Sequence, residues 1–335
     1  MNTIALPPLT LGRYQFDLTL EEPADLPAYL GGVLRGGFGF TFKRLVCMQP
    51  HLRRCTDCVL LHTCAYPAVF EPTPPPDTEV LRTHERIPVP YVFEPPARHD
   101  PTWQAGETLC LGLVLMGQGI TYLPYFLLAF QELGRQGLGR HRRRATLSQV
   151  VAVESAHDGR VPLWEGENLQ RDWAILGLWH AQDLQALEDT GSTLTLNFLT
   201  PTRLKYNGRY LQDAPPFHVI VRTLLRRVSS LSYFHAGHQW ETDYRGWIER
   251  AKQVETTAAH VSWMDWQRYS TRQRQHMNLG GIVGQVTYSG DASTGLSTGI
   301  TPFLPLLRLG ELIHVGKGAV FGNGQYELDS DTTTD

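Results

Sequence analysis

Hydrophobic residues recur along the chain in two similar series of strand-like and helix-like periods. A recurrence at every second residue predicts a strand, and one at every third or fourth residue predicts a helix. The first series predicts a strand at 13–20, a helix at 26–47, a strand at 108–117, a helix at 121–137 and a strand at 148–156. The second predicts a strand at 194–199, a helix at 215–237, a strand at 281–288, a helix at 301–316 and a strand at 325–328.

These two cycles predict an α+β protein of two tandem ferredoxin-like domains. With 335 residues the chain is long enough for two hydrophobic cores. The expected divisions are an N-terminal domain at 1–155, a connector at 156–190, a C-terminal domain at 191–329 and a tail at 330–335. The N-terminal domain would carry a cysteine-rich insertion at about 47–66 and a proline-rich excursion at 67–101, with one extended segment at 87–93. Five glycines in its first helix predict a close approach to the backbone by a neighbouring strand or by a ligand phosphate.

Charge changes this picture because it is unevenly distributed. The formal net charge is −3, which excludes a bulk polycation of the histone kind. Four of the 30 basic residues are lysines, so 26 are arginines, whose planar guanidinium suits phosphate and base stacking. Codon bias in a GC-rich genome explains that excess equally well. Residues 201–280 hold 12 basic and 6 acidic residues, whereas 151–200 hold 2 and 8, which predicts a basic face on the second half.

Four cysteines within 18 residues form the strongest local signal: Cys47, Cys55, Cys58 and Cys64. Four thiolates suit tetrahedral zinc, which would staple a loop with no core of its own. An iron–sulfur cluster and free or redox-active thiols are the alternatives. His51 and His62 lie in the same loop and could replace a cysteine as ligand. Because four sulfurs leave no open position, a metal here would be structural rather than catalytic.

A second signal is the glycine-rich segment GKGAVFGNG, which follows the last predicted helix. Its glycines at 316, 318, 322 and 324 would let backbone N–H groups turn toward an anion, and Lys317 adds charge. The alternative is a plain glycine hairpin before the last strand. The segment is neither a P-loop nor a dinucleotide fingerprint, because no GK[ST] opens a helix and a strand follows.

Arginines collect in three further places. They are Arg140, Arg142, Arg143 and Arg144; Arg222, Arg226 and Arg227; and Arg268, Arg272 and Arg274. Trp263, Trp266 and Tyr269 lie among the last group. Arginine beside stackable rings suits RNA, although for any one arginine a solvated helix face is the alternative.

The segments LRGGFGFTFKRLVC, CTDCVLLHTCAY, FLTPTRLK, LLRRVSSLSYFH, RYSTRQ and LIHVGKGAVFGNGQYEL resemble, in this order, the CRISPR-associated RAMP endoribonucleases that process precursor crRNA. The cysteine-containing branch of that family is the most similar. The resemblance covers nearly the whole chain and is most specific at the glycine-rich segment. It implies two ferredoxin-like domains that hold CRISPR repeat RNA, and metal-independent cleavage by the ribose 2′-OH, which leaves a 2′,3′-cyclic phosphate and a 5′-OH.

That chemistry needs a base, an acid and cations near the phosphate. His314 is the first catalytic candidate because any phosphate held by the glycine-rich segment would lie within reach of its ring. His62, His51 and His235 follow, and Lys317, Lys43 and Arg44 could stabilise charge. Where many relatives carry a histidine after the first helix, this chain has Lys43, Arg44 and the cysteine loop, so a site of basic residues alone is the alternative. The predicted RNA-binding residues are Lys43, Arg44, Arg222, Arg226, Arg227, Arg268, Arg272, Arg274, Gly316, Gly318, Gly322 and Gly324.

Other functions fit the sequence less well. A non-catalytic subunit that caps crRNA within a CRISPR effector complex would have the same architecture, and other effector subunits would then be partners. A metal-dependent nuclease is disfavoured because no spaced acidic cluster would gather Mg²⁺. No recognition-helix pattern indicates DNA sequence reading. The N-terminus carries no secretion signal and the apolar stretch at 109–130 is broken by glycine and proline, so we expect a cytoplasmic protein without a membrane partner.

Overall fold

The computed structural model describes residues 3–75, 78, 87–96, 100–154, 159–166, 168–185, 193–270, 275–290 and 299–329. The chain divides into two compact units. The N-terminal unit consists of residues 10–179 and 233–237. The C-terminal unit consists of residues 1–9, 180–232 and 238–335, so the first nine residues belong to the second unit.

A seven-stranded antiparallel sheet forms the frame of the N-terminal unit. Its strand order is β3-β5-β1-β6-β7-β8, and β9 pairs with β1 beside this path. The elements are Thr10–Leu20 (β1), Ala24–Asp25 (β2), Gly31–Val46 (α1), Ala65–Phe70 (α2), Tyr91–Glu94 (β3), Thr102–Trp103 (β4), Thr108–Met116 (β5), Leu123–Gln136 (α3), Ala145–Val153 (β6), Arg160–Glu165 (β7), Asn168–Leu169 (β8) and Leu178–His180 (β9).

The core of this unit lies between the sheet and the helices α1 and α3. Every second residue of β1 is buried, as its alternating sequence predicts. Phe16 on that strand contacts Phe130 of α3 at 5.3 Å between ring centroids. Phe38 of α1 stacks on Phe126 at 4.5 Å. Aromatic packing of this kind therefore fixes both helices on one face of the sheet.

Two of the five glycines of α1 are explained by helix packing. A Cβ on Gly37 would lie 2.7 Å from the side chain of Leu133, which belongs to α3. At Gly39 a Cβ would meet the ring of Phe70 in α2. The close neighbours at these two positions are side chains of other helices, neither the strand nor the ligand phosphate that the sequence suggested.

Residues 156–190, expected to be a connector, contribute strands to the first sheet within their described part. β7 pairs with β6 through Val150 and Trp164, and Trp164 is buried. Trp179 of β9 donates its indole N–H to the carbonyl oxygen of Val153 at 2.8 Å. The tryptophans of this acidic segment thus attach it to the edge and the centre of the sheet.

The C-terminal unit contains a four-stranded antiparallel sheet of order β13-β16-β10-β17. Its elements are Thr193–Thr202 (β10), Lys205–Tyr206 (β11), Arg209–Tyr210 (β12), Phe217–Ala236 (α4), Tyr244–Ala251 (α5), Glu255–Met264 (β13), Gln267–Ser270 (β14), Gln275–Asn278 (β15), Gly281–Ser289 (β16), Leu304–Ile313 (α6) and Tyr326–Asp329 (β17). Two small hairpins, β11-β12 and β14-β15, stand apart from the sheet.

Both sheets have the strand order of a ferredoxin-like domain. In chain order, the first, second, third and fourth strands are β1, β3, β5 and β6 in one unit and β10, β13, β16 and β17 in the other. In each unit the first strand lies between the third and the fourth, and the second lies beside the third. The predicted α+β fold of two tandem ferredoxin-like domains is therefore confirmed.

Among the helices that the structure describes, none combines the length and the apolar character needed to cross a membrane.

Candidate functional site

The glycine-rich segment at 316–324 joins α6 to the last strand of the C-terminal unit. All four of its glycines have positive φ, with values of 91°, 88°, 85° and 80° at Gly316, Gly318, Gly322 and Gly324. At Gly324 a Cβ would collide with the carbonyl oxygen of Val315. Most of the segment is buried, whereas Lys317 is exposed. The backbone conformation of the segment therefore requires these glycines. Its exposed part is the turn around Lys317.

His314 lies directly before this segment and is fully buried, with 0% exposure. It caps α6 with φ 61°, an uncommon value for a residue with a side chain. Its Nδ1 is 3.2 Å from the carbonyl oxygen of Asn323, across the base of the segment. In this position the ring joins the two ends of the glycine-rich segment.

Arg227 of α4 supports the same region from the inside. Its Nε donates to the carbonyl oxygen of Ile313 at 2.8 Å, at the end of α6. Burial lowers the pKa of its guanidinium to about 10. Thr200 accepts a hydrogen bond from the backbone N–H of Gln325 at 2.9 Å, so strand β10 also holds the segment.

A group of cations and tyrosines lies beside the exposed turn, and we call it the basic–aromatic cluster. Its members are Arg203, Lys205, Tyr206, Arg209, Tyr210, Arg222 and Lys317. The guanidinium carbon of Arg203 lies 4.0 Å from the ring centroid of Tyr210, and the Lys317 Nζ lies 5.6 Å from the same centroid. Tyr206 has Arg222 at 5.1 Å from its ring centroid. Tyrosine rings thus hold three of the five cations.

The backbone brings these residues together. Lys317 donates its backbone N–H to the carbonyl oxygen of Arg203 at 3.0 Å, which joins the glycine-rich segment to the chain just before β11. Lys205 pairs with Tyr210, and Tyr206 with Arg209, in the β11-β12 hairpin. Arg222 projects from α4, where the sequence had predicted an RNA contact.

Sequence reasoning missed the hairpin itself, although a signal was present. Asn207 and Gly208 have φ values of 47° and 82°, the positive pair that a two-residue type I′ turn requires. An Asn-Gly pair between two short strand-forming stretches is the strongest short-range hairpin signal. The stretch KYNGRY could therefore have been identified from the sequence.

The other predicted RNA-binding residues are scattered. Arg226 is exposed on α4, and Arg268 lies in β14. Arg272 and Arg274 lie outside the described residues. Lys43 and Arg44 occupy the last turn of α1, with Lys43 at 5.4 Å from the Tyr66 ring centroid.

The three further histidine candidates differ in exposure. His235 is 3% exposed, and its Nε2 lies 2.6 Å from the carbonyl oxygen of Pro88 within the N-terminal unit. His62 is exposed in the cysteine-rich insertion, as is His51. Of the residues predicted to take part in catalysis, His62, His51, Lys317 and Arg44 therefore present exposed side chains.

The four cysteines of the insertion line one pocket together with Lys43, Leu61 and Tyr66. All four are half-buried and free. Burial raises the pKa of the Cys55 thiol, and Glu71, Cys64 and Cys47 raise it further. Within the described part of the chain, no three His, Cys, Asp or Glu side chains are placed to share a metal ion. The expectation of structural zinc is not supported by this arrangement.

Two families match the chain in succession. Residues 9–174 match a family described as an N-terminal domain. A protein of Archaeoglobus fulgidus that is described as uncharacterized is 24% identical over 318 residues, which cover 91% of this chain and 93% of that protein.

Solved structures of the same fold include Thermus thermophilus Cas6, with 15% identity, a TM-score of 0.54 and coverage of 96% of this chain and 100% of that chain. A product complex of that Cas6 aligns with a TM-score of 0.57 and 18% identity over 96% and 99% of the two chains. A partial Cas6-RT-Cas1–Cas2 complex aligns with a TM-score of 0.57 and 15% identity, and covers 99% of this chain and 48% of that chain. Residues 196–326, which include α4, the basic–aromatic cluster and the glycine-rich segment, match the family of the CRISPR-associated endoribonuclease Cas6. The resemblance to CRISPR-associated RAMP endoribonucleases that was stated from the sequence is thereby confirmed, and the family match extends over residues 196–326.

Proposed function

We propose that the protein is an endoribonuclease that cuts CRISPR precursor RNA within its repeats to give mature crRNA. The observation that carries this proposal is the Cas6 family match over residues 196–326, which includes the exposed cations beside the glycine-rich segment. The product complex of a Cas6 with the same fold supports it. CRISPR repeat RNA is then the substrate, and other CRISPR proteins are candidate partners, as in the Cas6-RT-Cas1–Cas2 complex.

The proposed reaction is an attack of the ribose 2′-OH on the adjacent phosphate. The O2′–P bond forms and the P–O5′ bond breaks, which leaves a 2′,3′-cyclic phosphate and a 5′-oxygen that takes a proton. The phosphorane gathers negative charge on its oxygens, so a preorganised cation stabilises it more than it stabilises the ground state. Lys317 is suited to this role because its side chain is exposed at the turn and a tyrosine ring lies beside its ammonium group.

Burial separates the histidine candidates. A general base must approach the proton it takes within about 3 Å. His314 and His235 are buried and contact backbone carbonyl oxygens, so we assign them to the architecture of the two units. His62 and His51 are both exposed, and of these two we propose His62 as the histidine that exchanges the proton.

The test is incubation of the purified protein with its cognate repeat RNA in EDTA, beside an RNA with a 2′-deoxy nucleotide at the mapped cut. We expect one cut in EDTA that the deoxy substitution abolishes. His62→Ala should then slow single-turnover cutting at least tenfold, whereas the exposed His51→Ala, in the same loop, should leave the rate unchanged. Equal rates for the two variants would remove His62 from the mechanism.

Tight binding without a cut would favour the second candidate, a non-catalytic subunit that caps crRNA. The burial of His314 and His235 is the observation that favours it, because a binding subunit needs no exposed proton-transfer group. Cutting that stops in EDTA would contradict the metal-independent reaction. If the protein neither binds nor cuts the RNA, the proposed function is wrong altogether.

A further inference from the structure

The basic–aromatic cluster contains more positive charge than its surroundings neutralise. Within the described residues, none of its five cations forms an ion pair with a carboxylate; they are Arg203, Lys205, Arg209, Arg222 and Lys317. The stretch from Arg203 to Tyr210 contains three basic residues and no acidic one. Like charges in one place repel each other, and a bound polyanion would relieve that repulsion.

The two faces of the β11-β12 hairpin each pair a tyrosine with a cation. Residues opposite each other in an antiparallel pair lie on the same face, so Lys205 shares a face with Tyr210, and Arg209 shares the other with Tyr206. On one side Tyr210 is accompanied by Arg203 and Lys317. The hairpin therefore presents aromatic rings and cations on both of its faces.

The second face continues onto α4. The ring of His218 meets the ring of Tyr206 edge-on, at 5.5 Å between centroids, and Arg222 follows one turn later beside the same tyrosine. Burial lowers the pKa of His218, and the nearby Arg222 and Lys252 lower it further, while Glu249 opposes them. The lowering of this pKa by Arg222 and Lys252 indicates a locally positive environment.

The hairpin is built to keep this arrangement. Its Asn-Gly turn needs no strained side chain, because Gly208 takes the positive φ without cost and asparagine tolerates it. Arg203 is fixed at both ends, since its Nη1 donates to the carbonyl oxygen of Asn278 at 2.7 Å and its own carbonyl oxygen accepts from Lys317. Lys205 and Arg209 remain exposed. A cation that is already held in place, such as Arg203, loses less side-chain entropy on binding a ligand than a mobile one does.

We propose that the β11-β12 hairpin, with Arg203 and Arg222, binds the backbone of a single-stranded segment of the RNA next to the phosphate that Lys317 would stabilise. This inference rests on the proposed function for the identity of the RNA. Cations interleaved with tyrosines suit single strands, whose phosphates and unpaired bases are both accessible. Because the contacts are to phosphates and ring faces, the site is indifferent to base sequence.

The experiment measures binding of an uncleavable repeat RNA, 2′-deoxy at the cut, over a series of salt concentrations. The logarithm of the binding constant falls linearly with the logarithm of the salt concentration. For a single strand, every phosphate that the protein no longer neutralises reduces the magnitude of that slope by about 0.7. Lys205→Ala/Arg209→Ala should therefore reduce the slope by about 1.4 and weaken binding roughly tenfold near 0.1 M salt. The matched control is Arg135→Ala/Arg171→Ala, which removes two exposed arginines of the N-terminal unit and should change neither quantity.

A second pair of variants tests the tyrosine. Tyr210→Phe keeps the ring that holds Arg203 and should bind like the parent, whereas Tyr210→Ala should bind several-fold more weakly. Replacing the bases of the single-stranded segment at constant length should leave binding unchanged. If the parent binds and cuts RNA while the hairpin variants keep its slope and affinity, the hairpin proposal fails alone. If the parent itself does not bind the RNA, the proposed function fails with it.

Discussion

The glycine-rich segment and the cysteine-rich insertion are both irregular and both conspicuous in the sequence, yet they are held in different ways. The first is fixed from three sides, by His314 at its base, by Thr200 of β10 and by Arg227 of α4, which donates to the end of α6. The second has local turns, in which Cys58 accepts from the backbone N–H of Leu60 at 3.4 Å and contacts Gln49. A run of glycines or cysteines thus indicates an irregular segment. It does not indicate whether contacts from other elements or local turns hold that segment.

The largest expected effect comes from breaking the better-held segment. Gly324→Ala places a Cβ against the carbonyl oxygen of Val315 at a residue with φ 80°. Backbone strain and the clash together should cost about 3 kcal/mol in the free energy of unfolding. The control is Gly36→Ala in α1, where a Cβ meets nothing within 4 Å and should stabilise the protein by about 0.5–1 kcal/mol. Denaturant unfolding measures the free energy of unfolding of both variants. A Gly324→Ala variant as stable as the parent would show that the segment is not rigid.

Removing the ring of His314 should have the next largest effect. His314→Ala deletes the contact to Asn323 and leaves a cavity at a fully buried position, for a cost of about 2–3 kcal/mol. Single-turnover cutting by the folded protein should keep the pH profile of the parent. If His314→Ala is as stable as the parent but its cutting rate no longer changes with pH near neutrality, His314 is instead a catalytic residue.

A smaller effect is expected in the cysteine-rich insertion. Replacing Cys47, Cys55, Cys58 and Cys64 together by serine should lower the melting temperature by at most about 4 °C, because local turns rather than shared ligation hold the loop. RNA cutting should be unchanged. Metal analysis of the parent accompanies the melting curves. A bound metal ion that disappears in the variant, with a much larger drop in melting temperature, would restore the structural metal site.

The smallest expected effect concerns His218 beside the hairpin. Its folded-state pKa is lowered, so the unfolded chain takes the proton more readily and stability is lost as the pH falls through the usual histidine range near about 6.5. His218→Gln should therefore lose less stability than the parent between about pH 7.5 and about pH 5.5. His260→Gln, at an exposed position, is the control and should behave like the parent.

Periodicity predicted the elements whose burial alternates regularly, such as β1, α3, β10 and α6. It missed β13, because every residue of Glu255–Met264 is exposed or half-exposed and the strand carries no apolar stripe. It also missed β7 and β9, which pair with β6 and β1 through their backbones although neither carries an alternating hydrophobic pattern.

The site was predicted in part. The glycine-rich segment and Arg222 could be identified from residue types, and Tyr206 and Tyr210 could have been identified from the Asn-Gly turn between them. The burial of His314 could not, because its position in the sequence at a helix end is typical of exposed residues and only tertiary packing covers it. Exposure decides which histidine can meet a substrate, and it is a property of the folded chain.

The membership of residues 3–9 in the C-terminal unit has a consequence for the order of synthesis. Ile4 donates its backbone N–H to Pro302, Trp240 donates to Ala5, and Ala181 donates to Leu9. Residues 3–9 can therefore make these contacts only after Ala181, Trp240 and Pro302 have been synthesised. Residues 10–179, by contrast, include nearly all of the N-terminal unit and can pack before the second sheet exists. Removal of residues 3–9 would consequently weaken the C-terminal unit.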